Sequence, residues 1–136
     1  MIPSTGMATH PPNVSAFYVS VVARNPKNEG CATPPIEVLV DTGSVLTWLP
    51  RNVLEQIGLV PRRRYSFATA TGEVVSRDVC YAILSAEGFE TIDDVVFAEH
   101  GDAHLLGVRT IEGFGVTVDN IGRRFITRTM LAMLAV

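Results

Sequence analysis

The chain has 136 residues, 47% of them apolar and 18% charged, and 11 Lys+Arg against 14 Asp+Glu give a formal charge of −3. Such a composition excludes wholesale disorder and, lacking a basic surplus to displace phosphate counterions, argues against a nucleic-acid partner. The length predicts one domain, and because no apolar run reaches the ~20 residues of a membrane span, part of the apolar surplus is expected in a subunit interface.

Residues 1–14 hold Pro3, Gly6, Pro11 and Pro12 without apolar periodicity, which predicts a flexible tail ahead of a domain over 15–136. The first ten residues have neither the basic head nor the apolar run of a secretory signal, so a cytoplasmic location is expected. Phe17, Val19, Val21 and Ala23 then alternate with Tyr18, Ser20, Val22 and Arg24, the period of a strand. Residues 25–30 read as a turn, Pro34-Pro35 delays the next strand, and residues 36–40 form a short β-branched one that stops at Asp41-Thr42-Gly43-Ser44. A helix is expected over 50–57: Pro50 suits its first turn, Val53, Leu54 and Ile57 share a face, and Gly58 fits the C-terminal cap. Residues 65–69 alternate, 70–73 turn and 74–84 return, predicting a hairpin with a glycine near its tip. Glu87-Gly88 marks another turn, before a strand that ends at Phe97. Beyond a polar loop over 99–104 come Leu105-Leu106-Gly107, a helical stretch around 110–114, and a last hairpin from residues 116–118 and 124–126. Residues 130–136 fit either interface strands or a helix. Short strands at regular spacing with one or two short helices predict an all-β barrel or sandwich.

The informative segment is Val38-Leu39-Val40-Asp41-Thr42-Gly43-Ser44. A carboxylate at the end of a buried strand is costly unless hydrogen-bonded or paired, and Thr42, Gly43 and Ser44 supply donors and a flexible turn beside it. Alone, the tripeptide Asp-Thr-Gly also fits a plain turn. Its context resembles the retropepsin-like aspartic protease family, most closely the small bacterial members. Residues 38–44 are similar to the family's catalytic strand and loop. The hairpin tip, Thr69, Ala70, Thr71, Gly72 and Glu73, follows where the family places its substrate-covering flap, Gly72 standing 31 residues after Asp41. Leu105, Leu106 and Gly107 resemble the hydrophobic-hydrophobic-Gly element that packs behind the catalytic loop, Gly107 standing 66 residues after Asp41. The resemblance spans residues 17–126.

It implies a closed β-barrel and a homodimer. Aspartic protease chemistry uses two carboxylates sharing a proton, yet the chain has a single Asp-Thr-Gly, and Asp78, Asp93, Asp94, Asp102 and Asp119 lack the flanking Thr-Gly. Asp41 from each of two subunits would therefore meet on a two-fold axis. The implied activity is endopeptidase hydrolysis of a peptide or protein substrate without metal or cofactor. One Asp41 acts as general base on a water between the carboxyls, and the other hydrogen-bonds the scissile carbonyl. By the same resemblance Thr42 locks the two loops together, and Gly43 lets substrate backbone approach closely. Ser44 donates to the Asp41 carboxylate, predicting an acidic optimum that moves upward in Ser44→Ala. Val45 departs from the viral members, which usually carry an acid there. The alternative is a catalytically inactive dimeric peptide-binding or regulatory module on the same fold; a third option is self-processing of the 1–14 tail.

Other residues have plainer readings. Glu99, His100, Asp102 and His104 resemble a metal-ligand cluster, but Gly101 weakens the helix their spacing needs, so a solvated loop is expected. Arg62-Arg63-Arg64 beside Tyr65 reads as a solvated turn entering the hairpin, not a nucleic-acid stripe. Trp48 is expected in the core beneath the catalytic loop, and Tyr65 and Phe67 are expected to pack on one face of the hairpin. Cys31 and Cys80 are read as free thiols, with Cys80 no nucleophile. His10 has no assigned role.

Overall fold

The computed structural model describes residues 17–134. These form ten strands and two short helices. The expected tail over 1–14 lies outside the described residues.

β1 (Tyr18–Asn25) buries Val19, Val21 and Ala23, as the alternation predicts. It turns at Pro26-Lys27 into β2 (Asn28–Ala32), where Asn25 Oδ1 accepts the Lys27 N–H at 2.9 Å. The turn expected over 25–30 is thus shorter, and its second half is a strand. β2 is an edge strand with Asn28, Glu29 and Gly30 exposed, so it carries no buried face to mark it. β3 (Ile36–Val40) buries Val38 and Val40. β4 (Thr47–Pro50) was not expected either. It is four residues long, too short for a period, and is held only by distant partners: β7 in parallel and β8 antiparallel. Helix α1 (Arg51–Gln56) starts after Pro50 and buries Leu54 completely.

β5 (Arg63–Ala68) and β6 (Val74–Ala86) form the expected hairpin in register from Arg63↔Val79 to Ala68↔Val74. β6 then pairs along its length with β7 (Phe89–Ala98). β8 (Leu105–Leu106) inserts between β3 and β4, parallel to the former. Helix α2 (Val108–Gly113) begins directly after Gly107, two residues ahead of the predicted stretch. β9 (Val116–Asp119) and β10 (Arg124–Thr127) form a separate hairpin. Its Phe125 packs against Phe17, Phe89 and Phe114, with ring centroids 5.4–6.1 Å apart.

The large sheet runs β2-β1-β3-β8-β4-β7-β6-β5. β1 also pairs with β6, Val22 to Arg24 facing Ser85 to Ile83. Inside lies a core that includes Val21, Val38, Leu49, Leu54, Leu84, Val95, Phe97 and Leu106. A second cluster of Leu46, Val79 and Val96 is covered by Trp48 and Phe67. Trp48 therefore stands on this smaller cluster, half-buried and edge-on to Phe67 at 5.0 Å, instead of in the main core. After β10, residues 128–134 are neither strand nor helix in the single chain, and Met130, Leu131, Met133 and Leu134 are exposed; residues 135–136, the end of the segment expected to add interface strands or a helix, lie outside the described residues.

Candidate active site

β3 carries Leu39 and Val40 into the sheet and delivers Asp41 at its end, where the backbone leaves the ladder. Asp41 is half-buried, and its N–H donates to the Leu106 carbonyl at 3.0 Å. The chain then folds back on itself: the Ser44 N–H reaches the Asp41 carbonyl at 3.1 Å, and the Gly43 N–H reaches Asp41 Oδ1 at 2.9 Å. A side chain at 43 would put Cβ 3.1 Å from that same oxygen, so glycine keeps the carboxylate on its backbone donor. Thr42 and Gly43 are exposed at the tip of the loop.

Ser44 departs from expectation. Its hydroxyl donates to the Leu46 carbonyl at 2.8 Å, not to the Asp41 carboxylate. The turn carries the Ser44 side chain forward along the chain, onto the Leu46 carbonyl.

Behind the loop lies the segment that begins with Leu105, Leu106 and Gly107. Leu105 and Leu106 sit in register with Leu39 and Val40. The Val108 N–H donates to the Ser44 carbonyl at 2.8 Å and the Arg109 N–H to the Val45 carbonyl at 3.1 Å. Gly107 faces the loop so closely that an added Cβ would collide with the carbonyl carbon and oxygen of Leu46 and lie 2.9 Å from the Val45 oxygen.

Thr69, Ala70, Thr71, Gly72 and Glu73 form the exposed tip of the β5–β6 hairpin. The Thr69 N–H donates to the Glu73 carbonyl at 2.7 Å and the Gly72 N–H to the Thr69 carbonyl at 2.9 Å. The turn needs a left-handed residue, and Gly72 has φ +87°.

A buried polar network escaped the sequence reading. Asp93 and Asp94 on β7 are buried, as are Thr47 on β4 and Thr110 on α2. Thr47 Oγ1 lies 2.6 Å from Thr110 Oγ1, which donates to Asp93 Oδ2 at 2.9 Å. Arg109 spans both acids, 3.2 Å from Asp93 and 3.5 Å from Asp94, and Arg63 reaches Asp94 at 2.6 Å. The one local signal was a doubled acid opening an apolar run, whereas Thr47 and Thr110 are 63 residues apart.

The arginines at 62–64 are exposed to solvent as expected, but they lie on a strand and the segment entering it, not in a turn. Arg63 and Arg64 are on β5, Arg64 pairs with Asp78 at 2.9 Å, and Arg62 lies over the Tyr81 ring at 5.2 Å. In the 99–104 loop Asp102 takes two hydrogen bonds from Arg77, at 2.7 and 2.9 Å, which hold its carboxyl below the usual carboxylate range. Hydrogen bonds from Arg51, and then Arg64, do the same for Asp78. Among the described residues no group of three or more His, Cys, Asp or Glu is arranged to hold a metal ion. Cys31 and Cys80 are unpaired thiols, Cys80 buried. No helix among the described residues is long and apolar enough to cross a membrane.

A family model described as aspartyl protease matches residues 28–110, more than half of the chain, a span that holds Asp41, the hairpin tip and Gly107. No curated protein matches the chain.

Proposed function

This chain belongs to the aspartyl protease family, and we propose that it is an endopeptidase whose active form is a homodimer. Peptide bonds are hydrolysed by a water activated between two Asp41 carboxyls, one from each subunit. The observation that carries this reading is the placement of the chain's single Asp-Thr-Gly: its acid is half-buried at the end of a core strand, with one oxygen fixed by the Gly43 N–H. One acid per chain supports two chains per site. Exposed Met130, Leu131, Met133 and Leu134 support an apolar segment that a second subunit covers. Pairing of β1 with both β3 and β6 supports the closed-barrel reading of the sheet.

In the proposed cycle one Asp41 takes a proton from water as it attacks the scissile carbonyl, while the other donates a hydrogen bond to the carbonyl oxygen. The carbonyl oxygen takes the second carboxyl's proton to give a tetrahedral diol; the proton drawn from water then passes to the leaving nitrogen as the C–N bond breaks, and one diol hydroxyl returns its proton to the second carboxyl. Each proton transfer by a positioned side chain contributes about 10²–10⁴ in rate. The exposed Thr42 hydroxyl is available to its counterpart across the axis, and exposed Gly43 leaves room for substrate backbone. The tip over 69–73 covers the substrate. Val45, 60% exposed, offers no carboxylate to the peptide backbone, so main-chain hydrogen bonds to substrate come from elsewhere in the site. Two unpaired thiols support a reducing, cytoplasmic setting.

The test is cleavage of a denatured protein mixture at several acidic pH values, with wild type and Asp41→Asn compared in the same sedimentation state. Loss of cleavage by at least about 10²-fold in Asp41→Asn supports the proposal. Equal inertness of both proteins, with peptide binding retained, would replace it with a binding module.

A further inference from the structure

We propose that Asp93, acting through Thr110 and Thr47, is a positioning residue for hydrolysis: it holds the Leu106–Gly107 peptide in the orientation that seats Asp41. The proposal rests on the protease reading for its consequence, but its structural premise stands apart from it.

Four groups make a continuous buried chain. The Gly107 N–H donates to Thr47 Oγ1 at 3.0 Å, Thr47 and Thr110 share a hydrogen bond at 2.6 Å, and Thr110 donates to Asp93 Oδ2 at 2.9 Å. Its polarity follows from the ends. A backbone N–H only donates, a carboxylate only accepts, and each hydroxyl between them has one proton to give. So Thr47 accepts from Gly107 and donates to Thr110, and Thr110 spends its proton on Asp93. Thr47 and Thr110 have no solvent exposure, so water offers neither hydroxyl a substitute.

What this chain grips is the other face of the peptide group that holds the catalytic residue. The Leu106 carbonyl, bonded to the same peptide unit as the Gly107 N–H, accepts the Asp41 N–H at 3.0 Å. Rotating that peptide would move both hydrogen bonds together, and polarising its N–H strengthens its carbonyl as an acceptor. A second hold comes through Arg109, whose guanidinium contacts Asp93 Oδ1 at 3.2 Å and whose backbone N–H holds the Val45 carbonyl at 3.1 Å.

The chemistry also requires a carboxylate at position 93. Its Oδ1 accepts the Asp94 N–H at 2.8 Å as well as the arginine, and its Oδ2 accepts from Thr110. An asparagine has one oxygen and one NH₂. Turned one way, it points donors at Asp94 and Arg109; turned the other way, it points them at Thr110. In that second orientation Thr110 must accept from the amide, and the proton it gives to Asp93 in the wild type is left without an acceptor in a site closed to water.

The experiment compares Thr47→Val, Thr47→Cys, Thr47→Ser and Asp93→Asn in the full chain, with one fluorogenic peptide selected by wild-type cleavage and with amide hydrogen exchange read residue by residue. Thr47→Val is expected to speed exchange at Gly107 and at Asp41 by about tenfold. It should lower kcat by about tenfold or more with KM within twofold, while Thr47→Ser restores both. Thr47→Cys, of similar size with a weak donor, is the fallback where valine prevents folding, and should show at least about a threefold change in the same direction. Asp93→Asn should follow Thr47→Val. The proposal is overturned if Asp41 exchange is unmoved in Thr47→Val or Thr47→Cys, or if kcat falls without it. It is equally overturned if Thr47→Ser fails to rescue, since that marks a purely structural loss. An inert wild type would end the protease reading, and the exchange data would still decide whether this chain holds the Asp41 peptide.

Discussion

Replacing Gly107 by alanine tests the seating of the Asp41 loop most directly. The new Cβ would collide with the Leu46 carbonyl carbon and oxygen and approach the Val45 oxygen to 2.9 Å, where ordinary contacts begin at 3.4 Å. These are backbone atoms, so no rotamer change relieves the overlap, and the loop must separate from the 106–109 segment by roughly 1 Å. A shift of that size takes the bonds from Val108 to Ser44 (2.8 Å) and from Arg109 to Val45 (3.1 Å) beyond hydrogen-bond length. Overpacking at about 1–3 kcal/mol, with two lost bonds at about 1 kcal/mol each, gives a destabilisation of roughly 3–5 kcal/mol. In a domain of this size that lowers Tm by about 10–20 °C. Gly30→Ala is the control, since its Cβ meets only Asn28 Oδ1, at an ordinary 3.6 Å. Thermal unfolding followed by circular dichroism, with peptide hydrolysis measured below the transition, reads both effects. A Gly107→Ala protein that melts within about 3 °C of wild type and keeps its activity would refute the close approach.

Ser44→Ala removes the hydroxyl bond to the Leu46 carbonyl and should cost about 1 kcal/mol while leaving the pH–activity profile in place; a displaced profile would mean that the hydroxyl serves Asp41 after all. Gly72→Ala forces a side chain into φ +87° with no atom near enough to clash, so chemical denaturation should show a loss of about 1–2 kcal/mol from conformation alone. For Asp102, the hydrogen bonds from Arg77 place the folded-state pKa below the unfolded one. Its contribution is therefore complete above the unfolded value near pH ~4 and is lost as pH falls through the lower folded value. Asp102→Asn should accordingly lower Tm at pH 7 and by progressively less below about pH 4; an offset constant across pH titrations of Tm would contradict it.

Much of the fold was legible because local patterns and tertiary packing agree. β1 alternates in sequence and buries the same residues in the structure, and Pro50 and Gly58 bracket α1, one residue before its start and two after its end. Two strands were illegible for opposite reasons. β2 is an exposed edge with no face to show, and β4 is a central strand of four residues whose identity comes from β7 and β8. At the site, the motif around Asp41 was visible because its chemistry is contiguous. The Asp93–Thr110–Thr47 chain was not, since hydrogen bonds spanning 17 and 63 residues leave no spacing to recognise. Ser44 shows the complementary limit: residue type announced a donor, and only the course of the turn decided which oxygen receives it.

The sharing of β1 between β3 and β6, beside its hairpin with β2, bears on how the molecule assembles. Tyr18 to Val21 pair with β3, close behind in the chain, but Val22 to Arg24 wait for Ser85 to Ile83, some 60 residues downstream. The near seam can zip early, whereas the far one closes only after the whole β5–β7 meander exists. Late long-range pairing of this kind belongs to the slow end of single-domain folding, milliseconds to seconds rather than microseconds. Until it is complete, the second half of β1 presents an unsatisfied edge to any other nascent chain.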